Sequence, residues 1–119
     1  LPEEVVGEPR PGRKIVYTGD TRPCNRIIDI SADADVLIHD AAFTSELQDW
    51  AVETKHSTAR EAAETAKKAD VRLLVLTHIS TRYSKDSDVL LQEAKEIFEN
   101  TVIAEDFMSL EVKYQDKET

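Results

Sequence analysis

Short apolar runs that end abruptly at polar residues place the strongest limit on the fold of this chain. Three such runs, each a candidate strand, are residues 14–18 before Gly19 and Asp20, residues 35–38 before His39 and Asp40, and residues 71–76 before Thr77 and His78. The run at 71–76 lacks a regular alternation of apolar and polar residues, which predicts a strand buried on both faces of a sheet. The run at 14–18 predicts a short buried strand.

Segments with helix-forming patterns separate these runs. The clearest is 58–69, where Thr58 and Glu61 have the spacing of a capping box and alanines recur on one face. A helix is predicted at 21–30, with Thr21 as its cap and Pro23 in its first turn. A second is predicted at 46–52, with Leu47 and Trp50 facing inward, and a third from Asp86 or Ser87 to Phe98. Strands that alternate with helices predict an α/β fold, with helices covering a sheet.

The remaining segments set the predicted limits of the domain. A connector is predicted at residues 1–13, because this segment contains three prolines and two glycines. The folded part is predicted to span residues 14–114, and a polar tail follows at residues 115–119. Weaker strands are expected at 102–104 and 110–114. A length of 119 residues suits one modest domain or half of a larger one, and the chain starts at Leu1 rather than at a methionine. We therefore expect a trimmed or partial polypeptide.

The charge, apolar content and cysteine count of the chain limit the kinds of partner and cellular location that fit it. The chain has 15 Lys and Arg against 24 Asp and Glu, a net charge of −9. This charge argues against general nucleic-acid binding by the chain alone, because affinity for polyanions comes from cationic side chains. A phosphate-ester substrate held by bound cations and a few arginines is compatible with it. No apolar stretch is long enough to span a membrane, and the single Cys24, expected to be buried, fits a reducing cytoplasm.

Loops at the carboxyl ends of parallel strands often carry catalytic groups, because the strands hold them rigidly. In such a loop Asp20 can bridge two metal ions, or it can bond to its own turn. His78 can bind zinc through a neutral imidazole, or it can form a hydrogen bond at the end of a strand. Arg82 and Arg22 can hold a phosphate, or they can be ordinary surface side chains.

His56 also has two interpretations. It precedes a predicted helix, where it can act as a proton donor if a carboxylate lies nearby, or it can be a solvated loop residue. Asp40 can be that carboxylate; alternatively, His39 and Asp40 hold their own loop by hydrogen bonds. The charged helix face from Arg60 to Lys68 is expected to be a solvated exterior without a catalytic role.

Four motifs, in their order and spacing, resemble the carboxy-terminal half of ribonuclease Z (tRNase Z), a family with the metallo-β-lactamase fold. They are GDTRP at 19–23, HDAAF at 39–43, HSTA at 56–59 and LTHISTRY at 76–83. The resemblance extends from residue 12 to about residue 105. It implies the second half of an αββα sandwich, a sheet with covering helices.

The resemblance also implies roles for individual residues. Asp20 would bridge two zinc ions, and His78 would be a terminal ligand of one of them. His56 would aid proton transfer to the leaving group, with Asp40, which stands where the family usually has glutamate, as its orienting partner. The candidates for binding the substrate phosphate are Arg82 and Arg22, and the loop residues expected to support the site are His39, Ser57, Thr58 and Tyr83.

The family's first metal motif, His-x-His-x-Asp-His, occurs nowhere in the sequence, and neither does its basic, glycine-rich arm for transfer RNA. The resemblance thus implies part of a zinc-dependent cytoplasmic endoribonuclease that cleaves precursor tRNA on the 3′ side and leaves a 3′-hydroxyl. We expect two zinc ions per complete site, a separate amino-terminal half and a homodimer.

This chain alone is expected to bind zinc weakly and to be inactive. Two alternatives stay open: another metallo-β-lactamase-fold phosphodiesterase or hydrolase, and a non-catalytic half-domain.

Overall fold

A four-stranded parallel sheet forms the centre of the computed structural model, which describes residues 14–19, 21–83 and 85–104. The strands lie side by side in chain order, as β1 (Ile15–Tyr17), β2 (Val36–Asp40), β3 (Leu73–Thr77) and β4 (Thr101–Ile103). The helices are α1 (Asn25–Ile30), α2 (Gln48–Thr54), α3 (Ala59–Ala69) and α4 (Asp88–Lys95), with short 3-10 turns at Ser45–Leu47 and Thr81–Tyr83. The predicted α/β fold is confirmed.

The sheet is parallel throughout, so the carboxyl ends of its strands meet at one edge. The middle residues of β3 are buried, as their apolar run predicts. Strand β1 differs from the prediction, because Ile15 and Tyr17 are exposed and only Val16 is buried. Alternate residues of a strand point to opposite faces, and only the Val16 face of this outer strand packs on the core.

Helix α3 has the predicted capping box. Thr58 Oγ1 accepts a hydrogen bond from the Glu61 amide at 3.1 Å, and the Glu61 carboxylate accepts one from the Thr58 amide at 2.9 Å. The buried alanines of this helix are Ala59, Ala62, Ala63, Ala66 and Ala69. Because their side chains are small, α3 packs closely over β2 and β3.

Two predictions about α1 are wrong. The helix begins after Cys24, and the Thr21 hydroxyl donates to the carbonyl oxygen of Arg22 instead of capping the helix. Cys24 is exposed rather than buried. It would share the buried face of Ile27, three residues on, only if it were helical, and its backbone is extended instead.

The prediction for Trp50 is also wrong, since its side chain is 46% exposed. Leu47 ends a 3-10 turn, and this turn shifts the helical phase so that Ala51 becomes the buried residue of α2. Helix α4 starts after Ser87 as predicted but ends at Lys95, and Phe98 packs on the core from beyond the helix.

Several predictions lie outside the described residues: the connector at 1–13, Asp20, the strand at 110–114 and the tail at 115–119. Within the described ranges, no helix has the length and apolar character needed to cross a bilayer.

Candidate active site

Three loops meet at the carboxyl edge of the sheet. In the loop after β2, the Ala42 amide donates to the carbonyl of Ser57 at 2.9 Å, and the Phe43 carbonyl accepts from the Ala59 amide at 2.8 Å. The loop after β3 joins them, since the Ser80 amide donates to the carbonyl of Ala42 at 3.0 Å. Parts of three sequence motifs are therefore held together by backbone hydrogen bonds.

Asp40 and His56 form the central pair of this region. The Nδ1 atom of His56 lies 2.9 Å from Oδ2 of Asp40, and the same oxygen accepts from the Thr21 amide at 2.9 Å. The Asp40 side chain is fully buried, whereas that of His56 is 26% exposed. Burial raises the pKa of Asp40, although the hydrogen bonds from Thr21 and His56 act to lower it. An aspartate at position 40 thus reaches the histidine.

His39 supports the same loop from inside the sheet. It is fully buried, and its Nδ1–H donates to the Asp40 carbonyl oxygen at 2.8 Å. Burial lowers the pKa of His39, although the Asp40 carbonyl and the carboxylates of Asp40 and Glu61 act to raise it. The contacts expected by both interpretations are present: Asp40 contacts His56, and His39 bonds within its own loop. The role of His56 as a proton donor stays a prediction.

The other predicted support residues lie around this pair. The Ser57 hydroxyl donates to the carbonyl of Thr21, and Thr58 caps α3. The Tyr83 hydroxyl accepts from the Thr44 amide at 3.0 Å, which links the end of the HDAAF loop to the turn at Thr81–Tyr83. These contacts fix the shape of the loops, and the functional roles of the residues stay predictions.

Arg22 is engaged by Glu61. Its guanidinium donates to both carboxylate oxygens of Glu61, at 2.7 and 2.9 Å, and to the carbonyl of His56 at 2.8 Å. Gln48 Nε2 also donates to Glu61, at 2.6 Å. Burial opposes ionisation of Glu61, but the hydrogen bonds from Arg22, Gln48 and Thr58 outweigh it and lower the pKa of Glu61.

The sequence did not predict that the side chain of Glu61 lies beside His56 and Arg22. Its place on a helix with many charged side chains predicted a solvated exterior, but its side chain is only 13% exposed. The capping box was the available signal, because it turns the glutamate of the first helical turn back towards the preceding loop.

Arg82 is exposed at the margin of the site. Its guanidinium carbon lies 5.8 Å from the centre of the Phe43 ring, within the range of a cation–π contact. Such an exposed cation is compatible with the predicted phosphate contact.

His78 follows β3 directly and is exposed, with a left-handed backbone (φ 58°). That conformation is uncommon for a residue other than glycine and often marks functional sites. Gly19, the first residue of the GDTRP motif, is also left-handed (φ 71°). Asp20 itself lies outside the described residues, so its convergence with His78 stays a prediction.

Within residues 14–19, 21–83 and 85–104, no three His, Cys, Asp or Glu side chains converge in an arrangement that could hold a metal ion. Protein zinc sites use three or four protein ligands. The described donors alone therefore do not fit a zinc ion.

Comparison with known proteins identifies relatives of this chain. Residues 5–79 match the family described as the beta-lactamase superfamily domain. The chain is 64% identical over 115 residues to ribonuclease Z of Archaeoglobus fulgidus, a match that covers 97% of this chain and 38% of that protein. This chain thus spans less than half the length of that relative.

Two solved structures are also similar to this chain. The metallo-beta-lactamase fold protein YhfI of Bacillus subtilis has a TM-score of 0.75 at 31% identity, covering 83% of this chain and 40% of that one. The short form of human tRNase Z has a TM-score of 0.68 at 34% identity, covering 86% of this chain and 34% of that one. The resemblance to ribonuclease Z and the metallo-β-lactamase fold are confirmed.

Proposed function

Because this chain belongs to the beta-lactamase superfamily, we propose that it is part of a zinc-dependent endoribonuclease that removes the 3′ trailer of precursor tRNA and leaves a 3′-hydroxyl. Its similarity to ribonuclease Z of Archaeoglobus fulgidus supports this proposal. The structural observation on which it depends is the hydrogen bond between His56 and Asp40. A buried carboxylate that holds a partly exposed imidazole is an arrangement suited to proton transfer.

His56 is proposed as the general acid. Asp40 accepts from its Nδ1, so Nε2 is the ring nitrogen that can give a proton to a substrate. When the phosphodiester is cleaved, the departing 3′ oxygen gains negative charge, and a proton from His56 would neutralise it. General acid catalysis of this kind contributes roughly 10²- to 10⁴-fold in rate. Arg82 would neutralise charge on the phosphate.

Asp20 and His78 are proposed as zinc ligands contributed by this chain. Zinc, when bound, would supply a more acidic water molecule and stabilise charge on the phosphate. Two protein ligands are too few for a stable site, so the remaining ligands would come from a separate amino-terminal half of the domain. A homodimer, a cytoplasmic location and a domain that spans residues 14–114 complete the proposal.

The test joins this chain to the proposed amino-terminal half and uses precursor tRNA labelled at each end. The proposal expects one cut at the 3′ side, a 3′-hydroxyl on the tRNA product, and a much slower cut in His56→Gln. Hydrolysis of small phosphodiesters without cleavage of precursor tRNA would favour another hydrolase of the same fold. Absence of both activities, together with no bound zinc, would favour a non-catalytic half-domain.

A further inference from the structure

We infer that Arg22 and Glu61 are positioning residues that hold His56 in its reactive orientation. We call this pair the Arg22–Glu61 clamp. The clamp is a feature of the described structure, and its effect on the reaction rests on the function proposed above.

The clamp has the geometry of a strong ion pair. Two nitrogens of the Arg22 guanidinium face the two carboxylate oxygens of Glu61, at 2.7 and 2.9 Å. The side chains are 31% and 13% exposed, so solvent and salt screen the pair less than they would screen a fully exposed one. Paired hydrogen bonds between guanidinium and carboxylate also fix direction, because both groups are planar.

His56 is held at three points, and the clamp provides one of them. Its amide donates to the carbonyl of Ala51 in α2 at 2.9 Å, and its Nδ1 contacts Asp40 at the end of β2. Its carbonyl oxygen accepts from the same Arg22 nitrogen that contacts Glu61, at 2.8 Å. Loss of the clamp would remove the contact on the carboxyl side of His56.

Glu61 connects the clamp to the rest of the fold. Its carboxylate accepts from the Thr58 amide at 2.9 Å and from Gln48 Nε2 at 2.6 Å, in addition to Arg22. One side chain therefore ties the start of α2, the start of α3 and the loop before α1 to the same point. Movement of any of these elements would be transmitted to the peptide of His56.

This geometry changes the role that the sequence suggests for Arg22. As a phosphate ligand, Arg22 would have to leave Glu61, and a largely buried carboxylate without its partner is costly. The exposed Arg82 can meet a phosphate without that cost. We therefore place the phosphate contact at Arg82 and the positioning role at Arg22.

The kinetic test measures the single-turnover rate and the steady-state KM for cleavage of precursor tRNA by the complete protein in Arg22→Gln, Glu61→Gln and the double variant. Each single change is expected to lower the rate about 10- to 100-fold, the effect of small misplacements of catalytic groups, with KM changed less than about threefold. The double variant should be no slower than the slower single variant, because both changes disable one clamp. A large rise in KM for Arg22→Gln alone, with Glu61→Gln at the wild-type rate, would overturn the inference.

Arg72→Gln is the matched control. Arg72 lies just before β3, at the opposite edge of the sheet from His56, and its ion pair with Asp35 is long, at 3.9 Å, with an Arg72 side chain that is 64% exposed. This variant removes an arginine and an ion pair without touching the clamp, so its rate should stay at the wild-type value.

A second measurement needs no substrate. Nitrogen-15 NMR of the His56 ring reports its tautomer, and amide exchange at residues 56–58 reports how firmly the loop is held. Glu61→Gln should mix the ring tautomers and speed exchange; an unchanged ring signal would refute positioning even if the rate fell. If the wild-type protein fails to cleave precursor tRNA, the proposed function fails, and the NMR comparison still decides the clamp.

Arg22→Lys replaces any variant that does not fold, because it keeps the charge and loses the planar fork. A rate below that of the wild type is expected. Wild-type rate and ring signals in Arg22→Lys would overturn the positioning role of the fork.

Discussion

Asp40 and His56 are separated by fifteen intervening residues and a helix, yet the carboxylate and the imidazole lie 2.9 Å apart. The backbone hydrogen bonds between the loop after β2 and the loop before α3 bring them together. The Asp40 carboxylate is completely buried, whereas the His56 imidazole is partly exposed and accessible from solvent. This division is compatible with the proton transfer proposed for His56.

Asp40→Asn tests the pair directly, because the amide keeps the shape of the side chain and removes its charge. Without that charge the protonated imidazole is stabilised less, and we expect the single-turnover cleavage of precursor tRNA to slow by about 10- to 100-fold. Zinc content should be unchanged. Asp33→Asn, in the exposed turn after α1, is the control. A wild-type rate in Asp40→Asn would show that the contact has no role in the reaction.

The elements that the sequence predicted best are those with strong local signals. The capping box of Thr58 and Glu61 and the alanine face located α3, and the apolar run located β3. The predictions that Trp50 and Cys24 are buried are wrong. Trp50 follows a 3-10 turn that changes the phase of its helix, and Cys24 precedes a helix that starts later than predicted. Local periodicity does not contain that information, so the exposed side of such short helices could not be predicted.

The same limit applies to the candidate site. The motif order suggested that Asp40 could orient His56, and the structure places the two in contact. The partnership of Arg22 with Glu61 spans 39 positions and depends on how α3 packs beside the loop before α1. A long-range ion pair of this kind leaves no periodic signal in one sequence, and so Glu61 resembled an ordinary surface residue.

Thr58→Ala should destabilise the fold through the start of α3. The change removes the hydroxyl that accepts from the Glu61 amide, and loss of such a cap typically costs about 1 kcal/mol of the free energy of unfolding. Urea denaturation measures this difference. Thr58→Ser keeps the hydroxyl and should lose clearly less stability. Equal losses in the two variants would assign the effect to the buried methyl group instead of the cap.

His39 predicts how stability depends on pH. Burial lowers the pKa of His39 in the folded state below the ordinary value of 6.5. At a pH between this lowered pKa and 6.5, the unfolded chain therefore binds more protons than the folded one. The contribution of His39 to the free energy of unfolding is therefore fully present above about pH 6.5. It is lost as the pH falls below that value, and the free energy of unfolding then changes by at most about 1.4 kcal/mol per pH unit.

The measurement compares urea denaturation of the wild type and His39→Gln between pH 7.5 and 5.5. The variant lacks the titrating ring and should lose less stability on acidification. Asp40 acts in the opposite direction, since its raised pKa makes the folded state bind more protons, but it is present in both proteins. Identical slopes in the two proteins would contradict a buried, neutral His39.

His78 and His56 should separate metal binding from proton transfer. His78 lies at the carboxyl end of β3 in a left-handed conformation, whereas Nδ1 of His56 is engaged by Asp40. In the complete protein, His78→Ala should lose zinc, measured as zinc per protein by mass spectrometry, and activity should fall with it. His56→Ala should keep its zinc and lose roughly 10²- to 10⁴-fold in rate, the contribution of a general acid. Equal loss of zinc in both variants would make His56 a metal ligand and remove the proton-transfer role proposed for it.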